Sequence, residues 1–373
     1  MSKEYTALGL MSGTSGDGVD ASIIISDGIN TNKVIHDKYF EYDSEIYKNI
    51  HNLKDRINSK NNLKDFSKDL NILEKKITLF HAKVVKELSG NKAIDLVGFH
   101  GQTIYHNSKE KISKQLGDGK LLSQLTNKNI VYNFRQNDIK NGGEGAPLTP
   151  IFHQLILKQK KIDVPSCILN IGGISNITIV ENYKAYNFTS RDIGPGNCLI
   201  DSWVRQNSEK KFDKDGAIAS RGTINEIILE QAQELYSNRP NQNTLSLDVN
   251  DFDVSFARGL SLEDGVATLT DFTGRIIGAA LFSLLNNVKK NIWKVLISGG
   301  GRKNKSLISR IKKSTPKNII LQPIDDYSLN GDFIESQAFA YLAIRSYIGE
   351  PISFPQTTGC SKPSYGGQII QPT

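Results

Sequence analysis

The stretch Leu8-Gly9-Leu10-Met11-Ser12-Gly13-Thr14-Ser15-Gly16-Asp17-Gly18-Val19-Asp20-Ala21-Ser22-Ile23-Ile24-Ile25-Ser26 decides the fold. An apolar run enters a turn of small residues, two aspartates follow, and a second apolar run leaves. That pattern predicts a hairpin whose tip carries almost no side-chain bulk. Glycine lets backbone amides approach a ligand closely, and successive amides can form an anion-binding concavity. Ser12, Thr14 and Ser15 add hydroxyl groups, and Asp17 and Asp20 have the chemistry to hold a magnesium ion beside a phosphate. The plain alternative is a hairpin that uses Asp-Gly as turn chemistry alone.

Working outward, the apolar spacing of Leu70, Leu73, Ile77, Phe80, Val84 and Val85 predicts helices across Asp43 to Lys86. A short buried strand, Ile94 to Phe99, runs into His100-Gly101-Gln102-Thr103, and another covers Ile130 to Phe134. The glycine-rich link Asn141-Gly142-Gly143-Glu144-Gly145-Ala146-Pro147 reads as the domain boundary. After it the pattern restarts. Ser166 to Val180 is again strand, glycine turn and strand, with Gly172-Gly173 at the tip. Helical patterns over Thr223–Leu235, Thr268–Asn286 and Glu335–Tyr347 complete an alternation that predicts an α/β architecture. Two halves that each begin with a glycine-turned hairpin suggest a duplicated fold with a cleft between them.

Two further turns carry chemistry. Asp192-Ile193-Gly194-Pro195-Gly196-Asn197 begins with a carboxylate, and Gly194 and Gly196 expose backbone amides; alone it also reads as a Pro-Gly turn with a capping aspartate. Ser298-Gly299-Gly300-Gly301 follows a buried strand, where backbone would pass close to something flat or anionic, or simply lead into a helix. Three glycine-rich turns, each ending an apolar strand, suit one nucleotide with its phosphates, metal and base. The Walker and Rossmann fingerprints are both absent.

Composition narrows the class. A chain of 373 residues is long for one core, so two domains are expected. The formal net charge of +7 is spread over scattered lysines rather than a basic block interleaved with aromatics, which argues against nucleic acid. Three cysteines, Cys167, Cys198 and Cys360, are too few and too far apart for a disulfide framework or a zinc ribbon. No secretory pattern opens the chain and no apolar run looks membrane-spanning, so the cytoplasm is the expected location and no membrane partner is expected.

The ordered set of Gly9–Asp20, Phe99–Thr103, Asn133-Phe134-Arg135, Gly143–Leu148, Asn170–Asn176, Asp192–Asn197, Asp213-Lys214-Asp215-Gly216 and Ser298–Gly301 resembles the anhydro-N-acetylmuramic acid kinase family, from about Leu8 to about Ala343. One departure stands out: Gly16 occupies a position where the family's motif usually continues with leucine. The resemblance implies two ribonuclease-H-like domains of the actin and sugar-kinase type around a central nucleotide cleft. The first would comprise residues 1–145 plus about 335–373, the second residues 146–334. It implies ATP and Mg2+ as cofactors. ATP would be held by Gly13, Thr14, Ser15, Gly16, Asp17, Gly18, Val19 and Asp20. Gly172, Gly173, Gly194, Gly196 and Asn197 would join them, with Gly299 and Gly300 against the adenosine. Asp17 and Asp20 would serve the metal.

The implied substrate is 1,6-anhydro-N-acetylmuramic acid, whose 1,6-bridge the family cleaves with water while phosphorylating O6. Asp192 is carried over as the base that takes the water's proton. Sugar contacts would come from His100, Gln102, Thr103, Arg135 and Glu335, with Arg135 suited to the lactyl carboxylate. His100 also reads as a strand-end histidine satisfied by backbone, and Glu335 as a helix-capping or surface carboxylate. The family likeness alone suggests a homodimer. Two other classes stay open on the residues: a glycosidase with paired carboxylates, which would turn over without ATP, and a nucleotide-gated clamp, which would release no ADP in response to sugar.

Overall fold

The computed structural model describes residues 3–238, 245–286 and 292–372. Strands β1 (Tyr5–Ser12), β2 (Gly18–Ser26) and β3 (Lys33–Glu41) come first, followed by helices α1 (Ser44–Arg56), α2 (Lys60–Asp65) and α3 (Ser67–Ser89). Next are β4 (Leu96–Asn107), β5 (Ile112–Leu116), α4 (Gly119–Thr126), β6 (Asn129–Tyr132), α5 (Gln136–Lys140) and α6 (Pro150–Gln159). Then come β7 (Ser166–Ile171), β8 (Ile174–Val180), β9 (Phe188–Pro195), α7 (Cys198–Asn207), α8 (Glu226–Ser237) and α9 (Leu262–Leu285). The chain closes with β10 (Trp293–Ser298), α10 (Lys305–Ser314), β11 (Ile319–Pro323), α11 (Ile334–Ile348), α12 (Pro355–Thr358) and β12 (Gln368–Ile370).

The chain divides into two compact units. One contains residues up to Val164, residues 180–190 and residues from Asp332 on; the other contains Pro165–Ile179 and Arg191–Gly331. In the first, a seven-stranded sheet runs β12-β6-β4-β1-β2-β3, with β5 paired to β4. β1 lies antiparallel to β2 and parallel to β4, and β4 lies parallel to β6. The other sheet has five strands in the order β11-β10-β7-β8-β9, with β10 parallel to both β7 and β11. The order β3-β2-β1-β4-β6 is therefore repeated as β9-β8-β7-β10-β11, which is the duplicated ribonuclease-H-like arrangement. Residues 146–164, expected with the second half, lie in the first unit. The glycine-rich link that read as a boundary is stapled there, because the Glu144 amide donates to the Thr358 carbonyl at 2.8 Å.

Sequence accounts for the central packing. β1 and β4 are buried along nearly their whole length, as strands covered on both faces must be, and read as apolar runs rather than alternations. Helix α11 is buried on nearly every side and packs across β1, β2 and β4. Its backbone comes so close that a Cβ at Gly9 would collide with the Ser336 carbonyl, and one at Gly98 with the Phe339 carbonyl. Gly9→Ala is accordingly expected to cost about 1–3 kcal/mol of stability through overpacking. Urea unfolding would check this, and an unchanged midpoint would contradict the close approach.

Helix α9 is long and apolar enough to cross a bilayer by composition, contrary to the expectation that no such run exists. Its apolar length instead serves the core of the second unit: 67% of the stretch is buried, and Val266, Leu269, Phe272, Ile277 and Leu281 pack among Cys167, Leu169 and Val295.

Candidate active site

The opening hairpin forms as expected, with Met11 opposite Asp20. Its tip is a tight turn in which the Gly16 amide donates to the Gly13 carbonyl at 3.2 Å. The loop is tied down by its carbonyls: Gln102 Nε2 donates to Gly13 O at 2.9 Å and Lys54 Nζ to Thr14 O at 2.6 Å. Ser15 Oγ donates to Asp17 Oδ1 at 2.5 Å, and the Asp17 carbonyl accepts the Tyr42 amide at 2.9 Å.

The unusual Gly16 has a local cause. Its φ is +62°, a conformation that disfavours side chains, and a Cβ there would press on Ile50 Cγ2 at 2.8 Å. Ile50 thus fills space that a larger residue at 16 would need.

Two members of the loop turn out differently from the close-approach reading. Val19 has 0% exposure and its side chain belongs to the core, so only its backbone could meet a ligand. Gly18 is required by protein packing, because a Cβ there would stand 2.6 Å from the Tyr39 ring. The Tyr39 hydroxyl faces Asp17, Glu41 and Asp20, and its pKa is raised by burial first and then by these carboxylates. Among the described residues no group of three or more His, Cys, Asp or Glu forms a metal cage. Asp17 and Asp20 fit only the kind of site in which one or two carboxylates share a magnesium ion with substrate phosphates.

In the other unit, Gly172-Gly173 joins β7 to β8 and is laced to the turn after β9. Gly196 N–H donates to Gly173 O at 2.9 Å, and Asn197 N–H to Gly172 O at 2.8 Å. The Asn197 side chain adds Nδ2 to Gly172 O at 3.1 Å, and Ser175 Oγ donates to Pro195 O at 3.1 Å. The reading that Gly196 exposes its amide is therefore corrected: that amide and the one at Asn197 are used inside the protein. Gly196 must lack a side chain because a Cβ would collide with the Gly172 carbonyl. Gly194 is similarly confined, since a Cβ there would meet Ile276 Cγ2 at 2.6 Å.

Asp192 leads into this turn from β9 and is 9% exposed. Its own amide donates to the Leu245 carbonyl at 2.8 Å, and its Oδ2 accepts the Leu247 amide at 2.8 Å. One carboxylate oxygen is thus fixed by backbone, which sets the direction of the group.

In the same unit, Ser298 ends β10 and its hydroxyl lies 3.4 Å from Asn170 Oδ1. Gly299 has φ +81°, and a Cβ there would meet Ile171 O at 2.6 Å. Gly300 differs: a Cβ there would meet nothing within 4 Å, so its face is open as a flat ligand requires. The turn is braced by Arg302, the residue that follows it. Arg302 donates Nε and Nη2 to the two oxygens of Asp325 at 2.7 and 2.9 Å, and Nη1 to Gly299 O at 3.0 Å. The guanidinium bonds hold the Asp325 carboxyl below the ordinary carboxylate range. Nearby, Asp213 accepts the amides of Ile218 and Ala219 at 2.7 and 3.1 Å, so the Asp-Lys-Asp-Gly motif is a backbone-organising loop.

The residues of the first unit expected at the sugar divide into two groups. His100, Arg135 and Glu335 come together. Arg135 Nε and Nη2 donate to His100 Nε2 at 3.1 and 3.0 Å, so Nε2 is unprotonated and Nδ1 donates to Gly101 O at 2.7 Å. Burial, then the Arg135 charge, drives the His100 pKa well below its ordinary value. Burial raises the Glu335 carboxyl, and the Arg135 charge opposes that rise. Gln102 and Thr103 face elsewhere. Thr103 Oγ1 accepts Gln115 Nε2 at 3.1 Å, whereas Gln102, 0% exposed, reaches back to the hairpin turn. Gln102 Oε1 is buried without a hydrogen-bond partner among the described residues, a state native acceptors rarely keep.

His100 is one of four buried histidines in this unit. Burial holds His81 down to about 4 and both His106 and His153 down to about 3. Their folded pKa lies below the unfolded value near 6.5, so the unfolded chain binds the extra protons. Their contribution to stability is complete above about pH 6.5 and is lost as pH falls toward the folded values. Between pH 6.5 and 5, above the usual carboxylate range, each should remove up to about 1.4 kcal/mol per pH unit. Urea unfolding followed across that window would check this, and a flat profile would contradict it.

The model of the anhydro-N-acetylmuramic acid kinase family matches residues 5–372. A protein named anhydro-N-acetylmuramic acid kinase from Pelagibacter ubique (strain HTCC1062) is 56% identical over 373 residues, covering 100% of both chains. One of the same name from Zymomonas mobilis subsp. mobilis is 36% identical over 375 residues, covering 97% of this chain and 99% of its own. Among solved structures, a ROK family glucokinase from Streptomyces griseus in complex with glucose and AMPPNP has a TM-score of 0.41 at 12% identity. The match covers 91% of this chain and 99% of that one.

Proposed function

Because the chain belongs to the anhydro-N-acetylmuramic acid kinase family, we propose that it uses ATP to convert 1,6-anhydro-N-acetylmuramic acid into N-acetylmuramic acid 6-phosphate, a step in cell-wall sugar recycling. The observation that carries the reading is the family match along essentially the whole chain, 5–372. Water adds its oxygen to C1 and the C1–O6 bond breaks. O6 bonds to the γ-phosphorus, ADP leaves, and the remaining water proton is released.

Asp192 is the base. A carboxylate is ionised at neutral pH, and the Leu247 amide on Oδ2 at 2.8 Å fixes its aim. The Arg135 guanidinium receives the lactyl carboxylate, the only anionic group of the sugar, by charge-assisted hydrogen bonds. His100 Nε2 accepts from Arg135 and restrains it, and Glu335 borders the same group.

In the first unit the Gly13–Asp20 turn would receive ATP phosphate; in the second the Gly172-Gly173 turn has the same form, and open Gly300 would take the face of adenosine. Asp17 and Asp20 would hold magnesium, which supplies charge neutralisation during phosphoryl transfer. On the family likeness we extend the proposal to a homodimer in the cytoplasm, where ATP is available.

The test is to incubate the protein with the anhydro-sugar, ATP and magnesium and to follow ADP and sugar phosphate. ADP and N-acetylmuramic acid 6-phosphate formed in equal amounts, and only when sugar and ATP are both present, are expected. Sugar opening without ATP would turn the reading toward a glycosidase, and ADP release indifferent to sugar would overturn it.

A further inference from the structure

Asp138 on α5 is a buried carboxylate, 1% exposed, that no step of the proposed reaction uses. Its Oδ2 accepts the Gly145 amide at 2.8 Å, and its Oδ1 accepts the hydroxyls of Ser353 and Thr358 at 2.5 and 2.6 Å. Three donors fix both oxygens, so this side chain has little freedom. The loop is built around it: a Cβ at Gly143 would collide with the Asp138 carboxylate. The C-terminal segment closes the arrangement, with Asn141 Nδ2 donating to Ser364 Oγ at 2.9 Å.

What Asp138 holds is not a surface turn. The Gly145 residue it grips by the amide uses its carbonyl to accept Arg135 Nη1 at 2.8 Å. The opposite side of that guanidinium donates to His100 Nε2 at 3.0–3.1 Å. A continuous chain therefore runs from Asp138 through the Gly145 peptide to Arg135 and His100. An arginine has several rotatable bonds, and a planar fork recognises a carboxylate only when its plane is set in advance. The glycine-rich motif Gly143–Pro147, which by sequence reads only as a domain boundary, acquires a role here.

We infer that Asp138 is a positioning residue for the Arg135 clamp: by fixing the Gly145 carbonyl it sets the plane of the guanidinium that takes the carboxylate of the sugar. The inference rests on the reading of Arg135 as that clamp. If Asp138 served only to staple the C-terminal segment, its loss would lower stability and leave sugar affinity alone.

Steady-state kinetics of the full-length protein separate these roles, because KM does not depend on the fraction of enzyme that is folded. Asp138→Ala is expected to raise the sugar KM about tenfold with the ATP KM within about twofold of wild type, since only the clamp is misaligned. Asp138→Asn keeps a carbonyl oxygen for the Gly145 amide and should stay within about threefold. In an Arg135→Ala background, Asp138→Ala should add less than about threefold, because the two act as one unit. An unchanged sugar KM in Asp138→Ala, with a raised one in Arg135→Ala, overturns the inference and spares the clamp. An unchanged sugar KM in Arg135→Ala removes the clamp itself. Should Asp138→Ala yield no soluble protein, Ser353→Ala combined with Thr358→Val strips Oδ1 of its donors. A sugar KM raised at least about threefold is then expected, and an unchanged value overturns the inference.

Discussion

Replacing Asp192 with asparagine is expected to lower kcat by about 10²- to 10⁴-fold, the usual span for loss of a general base, with ATP affinity close to wild type. The two side chains are isosteric, and the asparagine carbonyl oxygen can keep the Leu247 amide that now bonds Oδ2 at 2.8 Å. The turn at Gly194–Asn197 is laced to Gly172 and Gly173 by backbone bonds that do not involve the 192 side chain, so it should persist. What disappears is the capacity to take a proton from water. Single-turnover kinetics with ATP titration would check both halves. Lost ATP affinity would mean that Asp192 serves the phosphates or the metal rather than the water.

The second large effect concerns substrate affinity. Arg135→Ala is expected to raise the sugar KM about 10- to 150-fold, which corresponds to one charge-assisted pair of about 1.5–3 kcal/mol. The ATP KM should change little, because Arg135 is bonded to His100 and the Gly145 carbonyl. Arg135→Lys keeps the charge but loses the fork, so an intermediate KM is expected. Steady-state kinetics with each substrate varied in turn would decide. An equal loss for both substrates would point to general damage at His100 and the Gly145 loop instead.

Much of the architecture was legible because the glycine turns sit at the ends of unmistakably apolar strands. The repeated hairpins at Gly13–Asp17 and Gly172-Gly173 are the same element in two sheets of the same order. The reasons behind individual glycines were less legible. Gly18 answers to the Tyr39 ring and Gly196 to the Gly172 carbonyl, both partners that sequence spacing cannot reveal. The same limit explains the domain boundary. A run of glycines signals backbone freedom, yet Gly143 is a glycine because the Asp138 carboxylate presses against it, and Gly145 because its φ is +80° with Ile139 beside it. Asp138 is not legible in the sequence because two of its three partners, Ser353 and Thr358, lie more than two hundred positions away. His100 and Arg135 were picked out as separate sugar contacts, and what the structure adds is that they are bonded to each other.

In the proposed reaction one turnover opens the anhydro bridge with water and phosphorylates the oxygen released. Running the reaction in 18O-labelled water and analysing the product promptly by mass spectrometry tests it most directly. One heavy oxygen is expected on C1 of the sugar phosphate, with unlabelled oxygen bridging C6 and phosphorus. Label appearing in inorganic phosphate, or a sugar phosphate with no label at C1, would contradict it.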